Sequence, residues 1–386
     1  MGVVCCREAS CGGKDTDSLL GWRAAAAVSR LIATHASLSQ EVEATVADPD
    51  SLRTSATKFL ASEEVLSNPG FTVEGVAKLK PEGSDWRGFI DWLLKRVRDV
   101  NGLGGPRFMV ASWLSMKQLG RFPMNPADQE HILDAEYLLE HYKTIMDDKG
   151  KVGGRVICFS FFSHRWERPS SKAGGGGHPD SHDHKKARAL AKFGEFGSCP
   201  IFAPHHDFEY FFWVDYLSIH QVDPTEKSLG VSVLCAYVAA CIQIIMYNSD
   251  TVEYEPRAWT RLERLLGYSY CACPLFKYLD DGYPTKPVDV DTVVKRSPST
   301  FKKCEETGSL MLIIRDPSGE DAAITDPSDA PMVRSLSDTV REATPSNPAR
   351  VWHGVTELAF DECLIPLDTE HYGLDVEKQQ KKDAVC

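Results

Sequence analysis

The chain has 386 residues, of which 42% are hydrophobic and 25% charged, and its formal net charge is −12. That length holds two domains or one domain with large extensions, and the acidic balance argues against a nucleic-acid-binding surface, which shows basic stripes. No apolar stretch is long enough for a membrane-spanning helix; the most apolar run, residues 231–247, is broken by cysteine, glutamine and alanine and reads as buried core.

The chain opens on "MGVVCC". It lacks the apolar stretch of a secretory signal. Once Met1 is removed, Gly2 stands where myristate is attached, although Cys6 replaces the usual Ser or Thr. Cys5 and Cys6 are then candidates for palmitoylation, and a second acyl chain turns the marginal hold of myristate into a stable one. The expected location is therefore cytoplasmic, peripheral at the cytoplasmic face of a membrane. The bland alternative is a tail, residues 1–17, with two idle thiols. Of the twelve cysteines, Cys158, Cys235 and Cys241 lie in apolar segments, where a reduced thiol acts as a small hydrophobe. Cys271 and Cys273 lack the second pair that a structural zinc site needs, so no metal site is expected.

Residues 18–150 carry apolar residues at spacings of three and four and predict an α-helical region. Its helices are "SLLGWRAAAAVSRLIATH" after Asp17, "SDWRGFIDWLLKRVRDV" behind a cap at Ser84, and "ADQEHILDAEYLLEHYKTIM" after Pro126. From 151 to 320 the pattern alternates strand and helix, the signature of a parallel α/β sheet. Strands are predicted at 155–162, 211–216 and 242–247, with "SLMLIIRD" (309–316) as a further one, and Val156, Phe159, Phe212 and Ile244 are expected to be buried. "LGVSVLCAYVAAC" and "YEPRAWTRLERLLGY" read as helices, the latter with Pro256 in its first turn. Residues 321–386 form a C-terminal extension ending in a polar tail.

Ligands of open parallel sheets bind at the carboxyl ends of the strands, and polar residues gather there. The first strand ends in Ser163, His164, Arg165 and Trp166; the second in Asp215, with His220 and Gln221 beyond; the third in Asn248, Ser249 and Asp250. Helical spacing puts Trp259 and Glu263 one turn apart on a helix leaving the same edge. Ser163, Arg165, Asp215 and Glu263 are expected to share one cleft. Each has a plainer role. Glu263 is also a surface charge balanced by Arg261 and Arg264, Asp215 a loop cap or the partner of Arg165, and Trp166 and Trp259 core residues. His178, His182 and His184 sit beside four glycines, where ordering a metal site is entropically costly, and read as a mobile loop.

"FSFFSHRWERP", "HPDSHDHKKARAL", "FFWVDYLSIHQ" and "YEPRAWTRLERLL" occur in the order found in Toll/interleukin-1 receptor (TIR)-like domains. The set most resembles the branch containing heterokaryon-incompatibility-like domains with an SHRW strand end, over residues 154–275. The resemblance implies a flavodoxin-like sheet, and in some members cleavage of the bond between nicotinamide and ribose in NAD. It places the catalytic carboxylate four residues after a Trp, at Glu263, with Ser163, His164, Arg165, Trp166, Asp215 and Trp259 as substrate-binding candidates. NAD is then a substrate and no resident cofactor is implied. The chain departs from the enzymes in lacking a clear glycine-rich phosphate loop, and Arg165 and Trp166 occupy the loop where substrate would enter. Other relatives are adaptors without activity, so a non-enzymatic, self-associating scaffold at a membrane is the competing expectation.

Overall fold

The computed structural model describes residues 48–62, 86–168, 177–196, 208–249, 254, 257–271, 276–281, 290–306, 308, 310–343 and 363–368. Gly2, Cys5, Cys6, the helix expected after Asp17, Ser84, Asp250 and Pro256 lie outside them.

Helices start where the sequence supplies caps. Asp48 accepts the N–H groups of Asp50 and Ser51 at the start of α1 (Pro49–Leu60), with Pro at its first position. Helix α2 (Arg87–Asn101) buries Phe89, Ile90, Leu93, Leu94, Val97 and Val100, a stripe of helical period. After strand β1 (Met109–Ser112), Ser112 caps α3 (Trp113–Leu119), which ends on Gly120 in the left-handed conformation. Strand β2 (Leu133–Asp134) leads into α4 (Ala135–Ile145), capped by Asp134.

Strand β3 (Val156–His164) is buried at every position, as expected of a strand covered on both faces. It pairs in parallel with β4 (Phe208–Trp213) on one side and β5 (Gln243–Asn248) on the other. β5 pairs in parallel with β6 (Phe276–Asp280), and β6 with β9 (Cys363–Asp368). Taken by chain position these five strands run second, first, third, fourth, fifth. The order reverses between β3 and β5, so successive connections leave β3 in opposite directions and open a crevice at its carboxyl end. Antiparallel pairs extend both sides: β2 and β1 beside β4, and β8 (Leu310–Ile314) and β7 (Phe301–Lys303) beyond β9. Among the described residues this makes one sheet of nine strands.

The intervening helices are α5 (Lys185–Phe196), the single turn α6 (Asp215–Ser218), α7 (Pro224–Ser232), α8 (Leu234–Ala239), α9 (Ala258–Tyr270), α10 (Val290–Arg296) and α11 (Ala330–Ala343). Even-numbered residues of β3 and β4 face α5: Phe193 of α5 meets Tyr210 and Phe212 edge-on at 5.0 and 6.3 Å. Odd-numbered residues face α9: Phe161 stacks on Trp213 at 4.9 Å, and Gly267 of α9 packs so closely on Ile244 that a Cβ there would lie 2.9 Å from its side chain.

Strands stand at the three expected central places, but the second runs over Phe208–Trp213 rather than 211–216, since Asp215 and Tyr216 belong to the turn α6; Val156, Phe159, Phe212 and Ile244 are buried. Other expectations are corrected. The region 18–150 is not helical throughout: β1 and β2 interrupt it and join the sheet, β1 pairing with both β2 and β4 and burying Val110 and Ala111. Its side chains share one core with those of the sheet, from Leu52 to Val340. The sheet extends past the expected limit at 320, since β9 lies between β6 and β8, and the 309–316 strand is antiparallel. The apolar helix expected over 229–241 is broken at Val233 into α7 and α8.

Candidate functional site

Helix α9 carries Glu263 to the carboxyl end of β3. Leu262, Leu265 and Leu266 bury its apolar stripe, and Thr260 Oγ1 donates to the carbonyls of Tyr254 and Arg257, closing its first turn. On the odd-numbered face of β3, Ser163 Oγ donates to Glu263 Oε2 at 2.5 Å and is also hydrogen-bonded to the buried hydroxyl of Tyr254. Burial pushes the Glu263 carboxyl well above the ordinary range, the Ser163 hydrogen bond opposes this, and the negative charge of Asp215 adds to it. As a whole residue Glu263 is only partly buried. Burial likewise raises the Tyr254 phenol.

The arginines expected to balance Glu263 on the surface are instead in the interior. Arg261 is buried, with a bidentate grip on Asp321 at 2.8 and 2.9 Å and a further bond to the Asp316 carbonyl. Arg264 donates to the Ile313 carbonyl at 3.0 Å and lies 5.3 Å from the centre of the Tyr254 ring; burial brings its guanidinium down to about 10. Arg261 ties α9 to the segment that follows β8, and Arg264 ties it to β8 itself.

On the even-numbered face lies a second group. His164 stacks on Phe162 at 5.0 Å, and its Nε2 lies 3.8 Å from Asp215 Oδ1 with no hydrogen-bond partner. Asp215 opens the turn α6 after β4; its Oδ2 accepts Trp166 Nε1 at 2.6 Å and its Oδ1 the N–H of Tyr216 at 2.7 Å. Burial raises the Asp215 carboxyl, opposed by the Trp166 bond. Burial, aided by the charge of Lys186, keeps the His164 imidazole neutral. Gln221 Nε2 donates to the carbonyls of Asp215 and Ile219 and fixes the turn.

Of the expected cleft residues, Ser163 and Glu263 meet directly, whereas Asp215 lies with His164 and Trp166 on the other face. Successive strand residues point to opposite sides, so Ser163 and His164 could not enter one group. At the carboxyl end of β3 the two groups are near enough for the Asp215 charge to act on Glu263. Arg165, two residues beyond Ser163, is close enough to Arg257 at the start of α9 to depress its guanidinium, after the larger effect of burial. Trp259 is half-buried and donates its indole N–H to Asp329 at 2.8 Å. Asn248 turns to Ser297.

The histidine segment is tied down, contrary to the expectation of a mobile loop. Arg168 and His178 form a backbone bridge, and buried Asp180 accepts the N–H groups of Ser181, Lys186 and Ala187. Lys186, buried, donates to the carbonyls of Arg165 and Pro179 and pairs with Glu167 at 3.2 Å, clamping the exit of β3 onto α5. Among the described residues no group of three His, Cys, Asp or Glu side chains could hold a metal ion. Sequence reasoning missed Tyr254 and Lys186 as parts of these networks. Tyr254 lies ahead of α9 and outside its periodic stripe, and a Lys in "HKKARAL" looks like any solvated charge. No family model matches the chain, nor does any curated protein or solved structure. No described helix is long and apolar enough to cross a membrane.

Proposed function

We propose that the chain is a TIR-like intracellular signalling protein that cleaves the nicotinamide–ribose bond of NAD, with Glu263 as the key carboxylate. The single observation that carries this reading is the carboxyl of Glu263, held by Ser163 at the carboxyl end of β3 where the strand order reverses. The strand order second-first-third-fourth-fifth is that of a flavodoxin-like sheet, whose ligands sit at this position.

The chemistry fits a carboxyl of raised affinity for its proton. The cationic nicotinamide ring beside Glu263 favours the ionised form. As the C1′–N bond breaks, its electron pair leaves with neutral nicotinamide, and the ribosyl carbon takes oxocarbenium character that the carboxylate stabilises. Water then adds to that carbon and loses a proton, giving ADP-ribose. Ser163 holds the carboxyl in place. The N-terminal "MGVVCC" supplies the membrane attachment of this reading through acylation of Gly2, Cys5 and Cys6.

The competing reading is a non-enzymatic TIR-like scaffold that self-associates at a membrane. It draws on the same bond, since Glu263 then serves only to lock α9 to β3. Following nicotinamide release from NAD by the purified protein separates the two. Glu263→Gln is expected to lower the rate on the order of a hundredfold or more. Turnover that survives the substitution removes Glu263 from the chemistry, and absence of wild-type turnover under oligomerising conditions favours the scaffold.

A further inference from the structure

The polar residues at the end of β3 fall into two groups on opposite faces of one strand, a division that a single-cleft site does not explain. On the α9 face stands Glu263 with Ser163. On the α5 face the Asp215 carboxylate is partly exposed, its side chain 31% accessible, while the His164 side chain behind it is 2% accessible. His164 Nε2 is a buried ring nitrogen without a partner, and a buried polar atom left unpaired is costly.

The chemistry of these two atoms specifies what would pair with them. The His164 ring makes a backbone hydrogen bond at Phe162. Since Nε2 has no partner, that bond is made by Nδ1–H, and the neutral imidazole presents Nε2 as an acceptor. Asp215 Oδ1 is an acceptor as well, and 3.8 Å is too long for a hydrogen bond between the two. Two acceptors so placed suit a ligand that brings two neighbouring donors, and adjacent hydroxyl groups on a sugar ring are such donors. Trp166, bonded to Asp215 Oδ2, fixes the carboxylate in this orientation and lies half-buried beside it.

We propose that a dinucleotide straddles the end of β3, with its nicotinamide ribose at Glu263 and the two hydroxyls of its adenosine ribose donating to Asp215 Oδ1 and His164 Nε2 on the opposite face. This rests on the NAD-cleaving reading and names the role of Asp215 within it: recognition of the second ribose. The pyrophosphate then crosses the strand end, where Arg165 follows His164 in the chain. Lys186, through the Arg165 carbonyl, holds that crossing point.

The test compares NAD with nicotinamide mononucleotide, which lacks the adenosine half, and with an NAD analogue lacking the adenosine 2′-hydroxyl, using full-length protein. Wild-type kcat/KM is expected to fall at least fivefold for the deoxy analogue. The preference for NAD over the mononucleotide is expected to drop at least tenfold in Asp215→Asn, with thermal unfolding confirming that the variant is folded. Equal wild-type rates on NAD and the analogue overturn the proposal without any variant, as does an Asp215→Asn change that lowers both substrates alike. If the protein releases no nicotinamide from any of them, calorimetric binding of ADP-ribose decides instead. Binding that weakens at least tenfold in Asp215→Asn upholds the ribose site while the cleavage reading fails, and no binding overturns the site.

Discussion

At the scale of single residues, the carboxyl of Glu263, proposed above as the reacting carboxylate, carries a cost to the fold. Its carboxyl is shifted upward by burial from an ordinary value of 4.5. Below that value the folded and unfolded chains both carry the proton. Above it the unfolded chain ionises while the fold keeps Glu263 neutral, so this residue's contribution to stability falls as pH rises, until the folded-state value is passed. Glu263→Gln is neutral throughout and can still accept from Ser163 Oγ. Its melting temperature is therefore expected to rise relative to wild type between pH 4.5 and pH 7, in scans across that range. A difference that stays constant with pH contradicts the buried, protonated carboxyl. The helical spacing that singled out Glu263 is local information, legible without a fold. Its partner Tyr254 was not legible, because nothing in the intervening sequence says that a tyrosine nine residues upstream will reach the same serine.

At the scale of elements, the α5 face depends on one close contact. A Cβ on Gly194 of α5 would lie 2.3 Å from Trp113 Cβ of α3, an atom fixed by its own backbone and unable to move aside. Gly194→Ala is expected to destabilise the protein by about 1–3 kcal/mol, outweighing the gain of about 1 kcal/mol in helix propensity. Chemical denaturation measures this directly, and a variant as stable as wild type would mean that α3 and α5 stand further apart. Because α5 carries Lys186, which clamps the exit of β3, the same substitution is expected to disturb the Asp215 group more than the Glu263 group. The stripes that make α2 and α9 amphipathic are visible in the sequence, whereas the glycine contact is not. Propensity alone reads a glycine in a helix as a weakness, and only the neighbouring tryptophan makes it a requirement.

For the whole molecule, the C-terminal strand is an internal part of the sheet. β9 pairs in parallel with β6 and antiparallel with β8. Ending the chain after residue 362 leaves the β7–β8 hairpin without its neighbour and turns β6 into an edge with unpaired backbone groups. This truncation is expected to lose cooperative unfolding and solubility, while ending it after residue 368 preserves both. Soluble, cooperatively folded protein from the shorter chain would remove β9 from the sheet. The membrane proposal is tested at the other end. Gly2→Ala is expected to release the protein from membranes on fractionation, and changing Cys5 and Cys6 to Ser to weaken attachment without abolishing it, since myristate alone binds marginally. A wild-type protein found wholly in the soluble fraction leaves "MGVVCC" as a tail only.

The sequence by itself determined the central α/β pattern. The runs at 155–162, 211–214 and 242–247 are largely apolar, as strands covered on both faces must be, and that requirement acts over a few residues at a time. It determined as well that polar residues end those strands. Tertiary structure alone decided that β1, β2 and β9 join the sheet, since short strands take their place from partners distant in sequence rather than from their own period. It also decided that Arg261 and Arg264 are buried, because their partners, Asp321 and the Ile313 carbonyl, come from 60 and 49 residues away. Last, it divided the polar edge into two groups. The alternation of side chains along β3 was already in the sequence, but which helix covers each face, and so which carboxylate meets Ser163 and which meets His164, depends on how the chain crosses the sheet.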